Sequence, residues 1–287
     1  MHSVTWGMLI VLYLFLGGIS AGAAILSGIA SLQGWSDKLK KAGAYLAPFP
    51  VMIGLVLLIL DLHRPLLFYQ ILLNYNLGSV MSWGVIALFA FTPVSLVYAF
   101  LLFKNYQGPA VKILSIANML LGLGVGAYTG LLLSAVATNP VWGSALIPIL
   151  FTISALSTGI CGTILVAGIG LKANSDELGK LASLDMVAIA AELLVIFIMI
   201  ISWYTSAQGA TAAAAVLGTY GVMFWGLVVG LGLLLPLGIL VYEVRAHGQA
   251  PQLLPYASAT LAIVGGFFLR YVIVYAGQTI FPYLGNY

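Results

Sequence analysis

The residues of this chain that could move a proton or grip a polar ligand are few and unevenly spaced. Asp61, His63 and Arg64 fall together in the run DLHRP. Asp61 and Arg64 stand three residues apart, one helical turn, so carboxylate and guanidinium can pair there. Pro65 would then end or redirect the helix. On that motif alone, an acid–base cluster and a charged helix end with a surface ion pair are equally good readings. Tyr13 lies in the first apolar run, Ser82 and Trp83 in MSWG, and Tyr128 in GAYTG. Asp185 and Glu192 are seven residues apart and share one helix face. A buried carboxylate on that face is either neutral and hydrogen-bonded or a station on a proton path.

The elements that must position these groups are dictated by composition. The chain has 287 residues, 62% hydrophobic and only 6% charged, with a mean hydropathy of +1.13. A water-soluble domain carries about 25% charged residues, so this chain could not clothe itself for water. The fold class is all-α integral membrane. A bilayer core of about 30 Å takes about 20 apolar residues per helix. That ruler gives eight spans, at Trp6–Leu32, Ala42–Leu60, Val80–Phe103, Ile113–Ala137, Ala145–Leu171, Leu184–Tyr204, Gly218–Tyr242 and Pro255–Ala276. Leu66–Leu77 is apolar but short and is expected at the interface, and Ala210–Leu217 is either a surface loop or an extension of span seven. Only His2 precedes the first apolar run, so the basic region of a cleavable signal is missing and an uncleaved first span is expected.

Basic residues orient the spans. Lys38, Lys40, Lys41, Lys104, Lys112, Lys172, Lys180 and Arg245 fall in alternate loops, and only Arg64 and Arg270 lie towards the other side. Positive residues stay cytoplasmic, so both termini are expected outside a prokaryotic cytoplasmic (inner) membrane. Spans one to four (1–139) and five to eight (140–287) are expected to form two four-helix bundles. Gly18 with Gly22, Gly122 with Gly126 and Gly130, and Gly226 with Gly230 are spaced for close helix contact. Spans one and five share a loose pattern, FLGGISAG beside LSTGICGT. Arg270 either braces the other half or faces a docked partner.

Several function classes are excluded. The net charge of +3 is too small and scattered for nucleic acid. The single Cys161 excludes a disulfide framework and a four-thiolate iron–sulfur cluster held by this chain alone. His2, His63 and His247 lie at termini or helix ends, whereas a di-haem anchor needs imidazoles from within its helices. No phosphate-binding loop and no HExxH pattern occurs.

With this topology the outer third of the bundle gathers the starts of spans one and three and the ends of spans two and four. Trp6, Tyr13, Asp61, His63, Arg64, Ser82, Trp83 and Tyr128 therefore converge in one layer. Such a layer suits a ring with two polar oxygens. Quinone chemistry moves two protons with two electrons, so its carbonyls need donors and a titratable group. Asp61 and His63 are the candidate proton exchangers, and Tyr13, Arg64, Ser82, Trp83 and Tyr128 complete the candidate quinone site. Asp185 and Glu192 are the candidate proton path.

YLFLGGISAG in span one, DLHRP followed by LLFY, MSWG, YTG and the ending RYVIVYAGQ together resemble the NrfD-like family, the membrane subunits of polysulfide reductase and related respiratory complexes. The resemblance implies a haem-free eight-helix protein. It would pass electrons between a menaquinone or ubiquinone pool and an iron–sulfur subunit docked on the outer face, which usually connects to a molybdopterin oxidoreductase. Iron–sulfur clusters and molybdopterin would then belong to the partners. It carries over to Tyr128, Asp61 and Arg64. Two departures stand out: Tyr13 falls where some members have histidine, and His63 where many have glycine. His63 is then expected to supply the missing proton exchanger. A small multi-pass transporter and an anchor without a quinone site are the competing readings. A carrier would place its polar groups near the midplane at broken helices, whereas these lie at one end.

Overall fold

The computed structural model of the chain describes residues 6–62, 76, 78–245, 251 and 253–284, with side chains as far as residue 280. Every regular element among them is helical. Eight helices are long and apolar enough to cross a membrane: Met8–Leu32, Asp37–Asp61, Val80–Phe103, Pro109–Ser134, Leu146–Gly170, Ser175–Tyr204, Met223–Arg245 and Leu254–Ile280, numbered here spans one to eight. With no water in the hydrocarbon, helices satisfy every backbone group internally, which is why a sequence this apolar folds as nothing else.

The differences from the expected boundaries have local causes. Span six begins at Ser175, ahead of the expected Leu184, because a capping box starts it: the Asn174 side chain accepts from the backbone, and the Asn174 N–H donates to Glu177 at 2.8 Å. A hydropathy ruler misses that charged first turn. Span two starts at Asp37, capped by Ser36, and is relaunched at Pro48 after a break at Ala47. Proline at the first helical position gives up an N–H that had no partner anyway. Ala210–Leu217 is helical: a short helix, Ala207–Ala213, runs into a π-helical turn, Ala214–Thr219. Span seven opens as twelve residues of π-helix, Met223–Leu234. Leu66–Leu77 lies almost wholly outside the described residues.

Burial ranks the spans. The apolar window of span one is 78% buried, that of span five 67% and that of span eight 56%, against 28–39% for the other five. Spans one, five and eight thus form the middle, and the rest present one face to lipid. Apolar side chains from both 1–139 and 140–287, among them Tyr13, Phe91, Phe151, Phe224 and Leu269, belong to a single core cluster.

Glycine makes that middle possible. A Cβ on Gly22 would overlap the Ala155 carbonyl and stand 2.9 Å from the Gly159 Cα, and a Cβ on Gly159 would overlap the backbone of Gly22 and Ala23. The two segments that share a loose pattern in sequence therefore cross backbone to backbone. Gly122 and Gly130 pack in the same way on Ala21 and Pro148. The expected contact at Gly226 does not form, since open space surrounds that position. Span seven crosses span eight through Gly232 and Gly265 instead, whose backbones touch.

The loops that carry lysine meet on one face. Lys38 Nζ donates to the Lys172 carbonyl at 2.8 Å, and Lys41 reaches Asn105. The opposite face, where span one begins and span eight ends, is closed by aromatic and amide groups. Trp6 stacks on Trp142 with centroids 4.8 Å apart, and Trp142 Nε1 donates to the Ile273 carbonyl at 2.8 Å. Gln278 Nε2 donates to the Trp6 carbonyl at 2.7 Å, and Asn139 Nδ2 to the Gly277 carbonyl at 2.8 Å.

Candidate functional site at the terminus-bearing end

Tyr13 sits in the second turn of span one and is completely buried. Its ring rests on Gly54 of span two, a ring carbon lying 3.3 Å from where a Cβ would stand. Its hydroxyl lies within electrostatic reach of Tyr128 and has no hydrogen-bond partner among the described residues. Tyr128, near the end of span four, is also buried, and its ring occupies the space that a side chain on Gly84 would fill. Gly84 thus admits the second phenol. Gly84 follows Ser82 by two residues at the start of span three, and the buried Ser82 hydroxyl accepts from the Asn76 N–H at 3.4 Å.

Asp61 ends span two and is half-buried. Its Oδ1 lies 3.9 Å from where a Cβ on Gly7 would stand, so the carboxylate reaches the beginning of span one. The structure therefore brings Tyr13 and Tyr128 together and sets Asp61 and Ser82 at the same end of these four spans. Trp83 is 55% exposed and lies on the surface of that end. His63 and Arg64 lie outside the described residues.

A second polar group crosses the middle of the molecule. Asp185 is buried and accepts from Ser157 Oγ at 2.7 Å and from Cys161 Sγ at 3.1 Å. Two turns on, buried Glu192 faces Ser154 and, beyond it, Arg270. Arg270 Nη1 donates to Ser154 Oγ at 3.2 Å and to the Gly266 carbonyl at 2.7 Å, and its Nε donates to the Leu14 carbonyl at 3.2 Å. Its guanidinium carbon stands 5.5 Å and 5.9 Å from the ring centroids of Phe151 and Phe15. Of the two expectations for Arg270, bracing the other half is the one realised.

Ser154, Ser157 and Cys161 carry no functional reading in the sequence, yet they line this group. A signal for them exists: Ser154 and Cys161 are seven residues apart on span five, matching the spacing of Asp185 and Glu192 on span six. Among the described residues no cluster of His, Cys, Asp or Glu is built to hold a metal ion.

The chain as a whole is similar to known proteins. The sequence profile described as "Polysulphide reductase, NrfD" matches residues 1–282. The chain belongs to the NrfD family. It is 37% identical to a polysulfide reductase polypeptide of Wolinella succinogenes, over 97% of this chain and 96% of that protein. It is 31% identical to the NrfD homolog of Haemophilus influenzae, over 96% and 95% of the two sequences. A selenate reductase subunit of Mesobacillus selenatarsenatis is 26% identical over 67% of this chain and 57% of its own length. As an NrfD-family protein the chain is a multi-pass membrane subunit of a reductase complex.

Proposed function

We propose that this NrfD-family chain is the quinone-reactive anchor of its complex, exchanging electrons and protons between a menaquinone or ubiquinone pool and an iron–sulfur partner subunit. The observation that carries this reading is the pair of buried phenols, Tyr13 and Tyr128, beside a single carboxylate at one end of spans one to four. A hydroxyl buried with no partner costs about 1–3 kcal/mol. The free Tyr13 donor suits a ligand carbonyl, which would recover that cost. Tyr128 orients the same ring from span four, and Ser82 and Trp83 border it from span three. Quinol oxidation releases two electrons and two protons, and the reverse reaction takes them up. In this reading Asp61 and His63 exchange the protons and Arg64 holds the Asp61 charge. Residues 1–139 carry the site and residues 140–287 brace it.

The electrons leave to clusters held by the iron–sulfur subunit, which serves a molybdopterin catalytic subunit. Electron transfer needs a short distance, so the iron–sulfur subunit docks on the terminus-bearing face, where the phenols lie. That face is outer in an inner-membrane protein by the lysine distribution. A cysteine added ahead of His2 or behind Tyr287 should label from outside intact cells with an impermeant thiol reagent. Protection of both termini would overturn this docking side. The groups Asp185, Ser157, Cys161, Ser154 and Glu192 lead from the lysine-bearing half of the molecule towards Arg270. We assign them to a proton path.

The test is a quinol titration of the partner's iron–sulfur signal in the purified complex. Tyr128→Phe should weaken quinol reduction by about 10-fold or more, by loss of one oriented donor. Gly84→Ala should do the same without touching any hydroxyl, because its methyl group takes the space of the Tyr128 ring. An unchanged titration in both variants would reduce the chain to an anchor without a quinone site.

A further inference from the structure

Arg270 is the one cation among the described residues that is wholly buried, and it sits in span eight, in the second half of the chain. A charge within a bilayer costs at least about 2.5–3.5 kcal/mol, so its contacts show what it is held for. Two of its hydrogen bonds are as expected of a trapped guanidinium: to Ser154 of span five, with Glu192 beyond as the facing carboxylate, and to the Gly266 carbonyl of its own helix. The remaining bond goes elsewhere. Nε donates to the Leu14 carbonyl of span one, in the residue that directly follows Tyr13.

Span one is shaped to receive that bond. Nη2 lies 2.6 Å from where a Cβ on Gly18 would stand, so any larger residue there would make the guanidinium shift from its place against that turn. Gly18 is four residues after Leu14, the residue whose N–H ordinarily pairs with the Leu14 carbonyl in a helix. Arg270 therefore grips the turn Leu14–Gly18 at both ends, by a hydrogen bond at one and by contact at the other. Phe15, within the same turn, packs under the guanidinium. Tyr13, one residue ahead of the gripped carbonyl, has no hydrogen bond of its own to set its hydroxyl. Its position is fixed by its helix and by packing on Gly54.

We propose that Arg270 is a positioning residue for the site at the start of span one. From the second half of the chain it fixes the height and rotation of the turn that presents the Tyr13 phenol, with Gly18 as the socket that lets it in. The proposal rests on the quinone reading of Tyr13. A group that only positions a donor changes the affinity and orientation of the ligand, not the chemistry of the donor. Displacements of about 1 Å by remote changes are enough to be felt in turnover.

The experiment uses the assembled complex, with a short-tailed naphthoquinol and a short-tailed benzoquinol as donors. Reduction of the partner clusters by dithionite serves as the measure of intact assembly. Arg270→Gln should raise KM for quinol by about tenfold with kcat changed less, and Arg270→Lys, which keeps the charge, should recover part of the loss. Gly18→Ala leaves Arg270 in the chain but fills its socket, and should raise KM in the same direction. If Arg270→Gln does not assemble, Gly18→Ala and Arg270→Lys decide. Assembled variants with wild-type KM for quinol would overturn the proposal. Tyr13→Phe separates this failure from that of the quinone reading. If Tyr13→Phe raises KM while the Arg270 and Gly18 variants do not, only the positioning role fails. If none of the four variants alters quinol kinetics, the Tyr13 site itself is refuted.

Discussion

Replacing Asp61 with asparagine should lower quinol-driven turnover of the assembled complex by about 100-fold, the lower end of what general acid–base groups contribute. The chain has seven carboxylates. Asp37, Asp176 and Glu177 lie at the lysine-bearing starts of spans two and six, Glu243 at the lysine-bearing end of span seven, and Asp185 and Glu192 inside. Asp61 alone stands at the end where the two phenols are buried. Asparagine keeps its volume and its capacity to hydrogen-bond but cannot take a proton. Assembly and dithionite reduction of the partner clusters should therefore be unaffected, while quinol reduction of the same clusters slows. Asp61→Glu, which restores the titratable group one methylene further out, should recover a measurable fraction. Turnover within about twofold of wild type for Asp61→Asn would assign proton exchange to His63 or to water, and Asp61 to the helix end.

How far this was readable from the sequence depends on which physical rule was in control. Spans one and three matched hydropathy closely because nothing but apolar length defines them. Span six did not, because its first turn is specified by Asn174 and Glu177, which a hydropathy window counts against a helix. Glycine spacing identified helices that approach closely but not their partners. Gly22 meets Gly159 across the two halves, and Gly226, with the same spacing to Gly230, meets nothing. A GxxxG spacing states that one helix face is smooth. Which neighbour uses it is decided by the packing of all eight.

The site divides along the same line. That Tyr13, Asp61, Ser82 and Tyr128 lie at one end of spans one to four was legible because topology alone fixes which helix ends share a layer, and polar groups in an apolar chain stand out. Gly84 was not, since its role is to be absent where the Tyr128 ring lies. Ser154, Ser157 and Cys161 were missed for another reason. Small polar side chains are ordinary in membrane helices, and only the carboxylates and guanidinium opposite them set these three apart as hydrogen-bond partners.

The largest structural effect is expected at the crossing of spans one and five. A methyl group on Gly159 would overlap the backbone of Gly22 and Ala23. No side chain there can rotate aside, so Gly159→Ala must push two of the most buried helices apart. Overpacking costs about 1–3 kcal/mol where side chains can yield, and occasionally more. The cost here should lie at or above that range and lower the midpoint of thermal unfolding in detergent by on the order of 10 °C. Gly124→Ala is the matched control, because open space surrounds that position and alanine favours helix. It should leave the midpoint unchanged or slightly higher. The crossing also sets how near span one lies to span eight, and so whether Arg270 reaches the Leu14 carbonyl. Any Gly159→Ala protein that survives purification should therefore show the raised quinol KM expected of Gly18→Ala. A Gly159→Ala variant with wild-type stability would mean that the backbones do not touch, and the bond from Arg270 to span one would lose its structural basis.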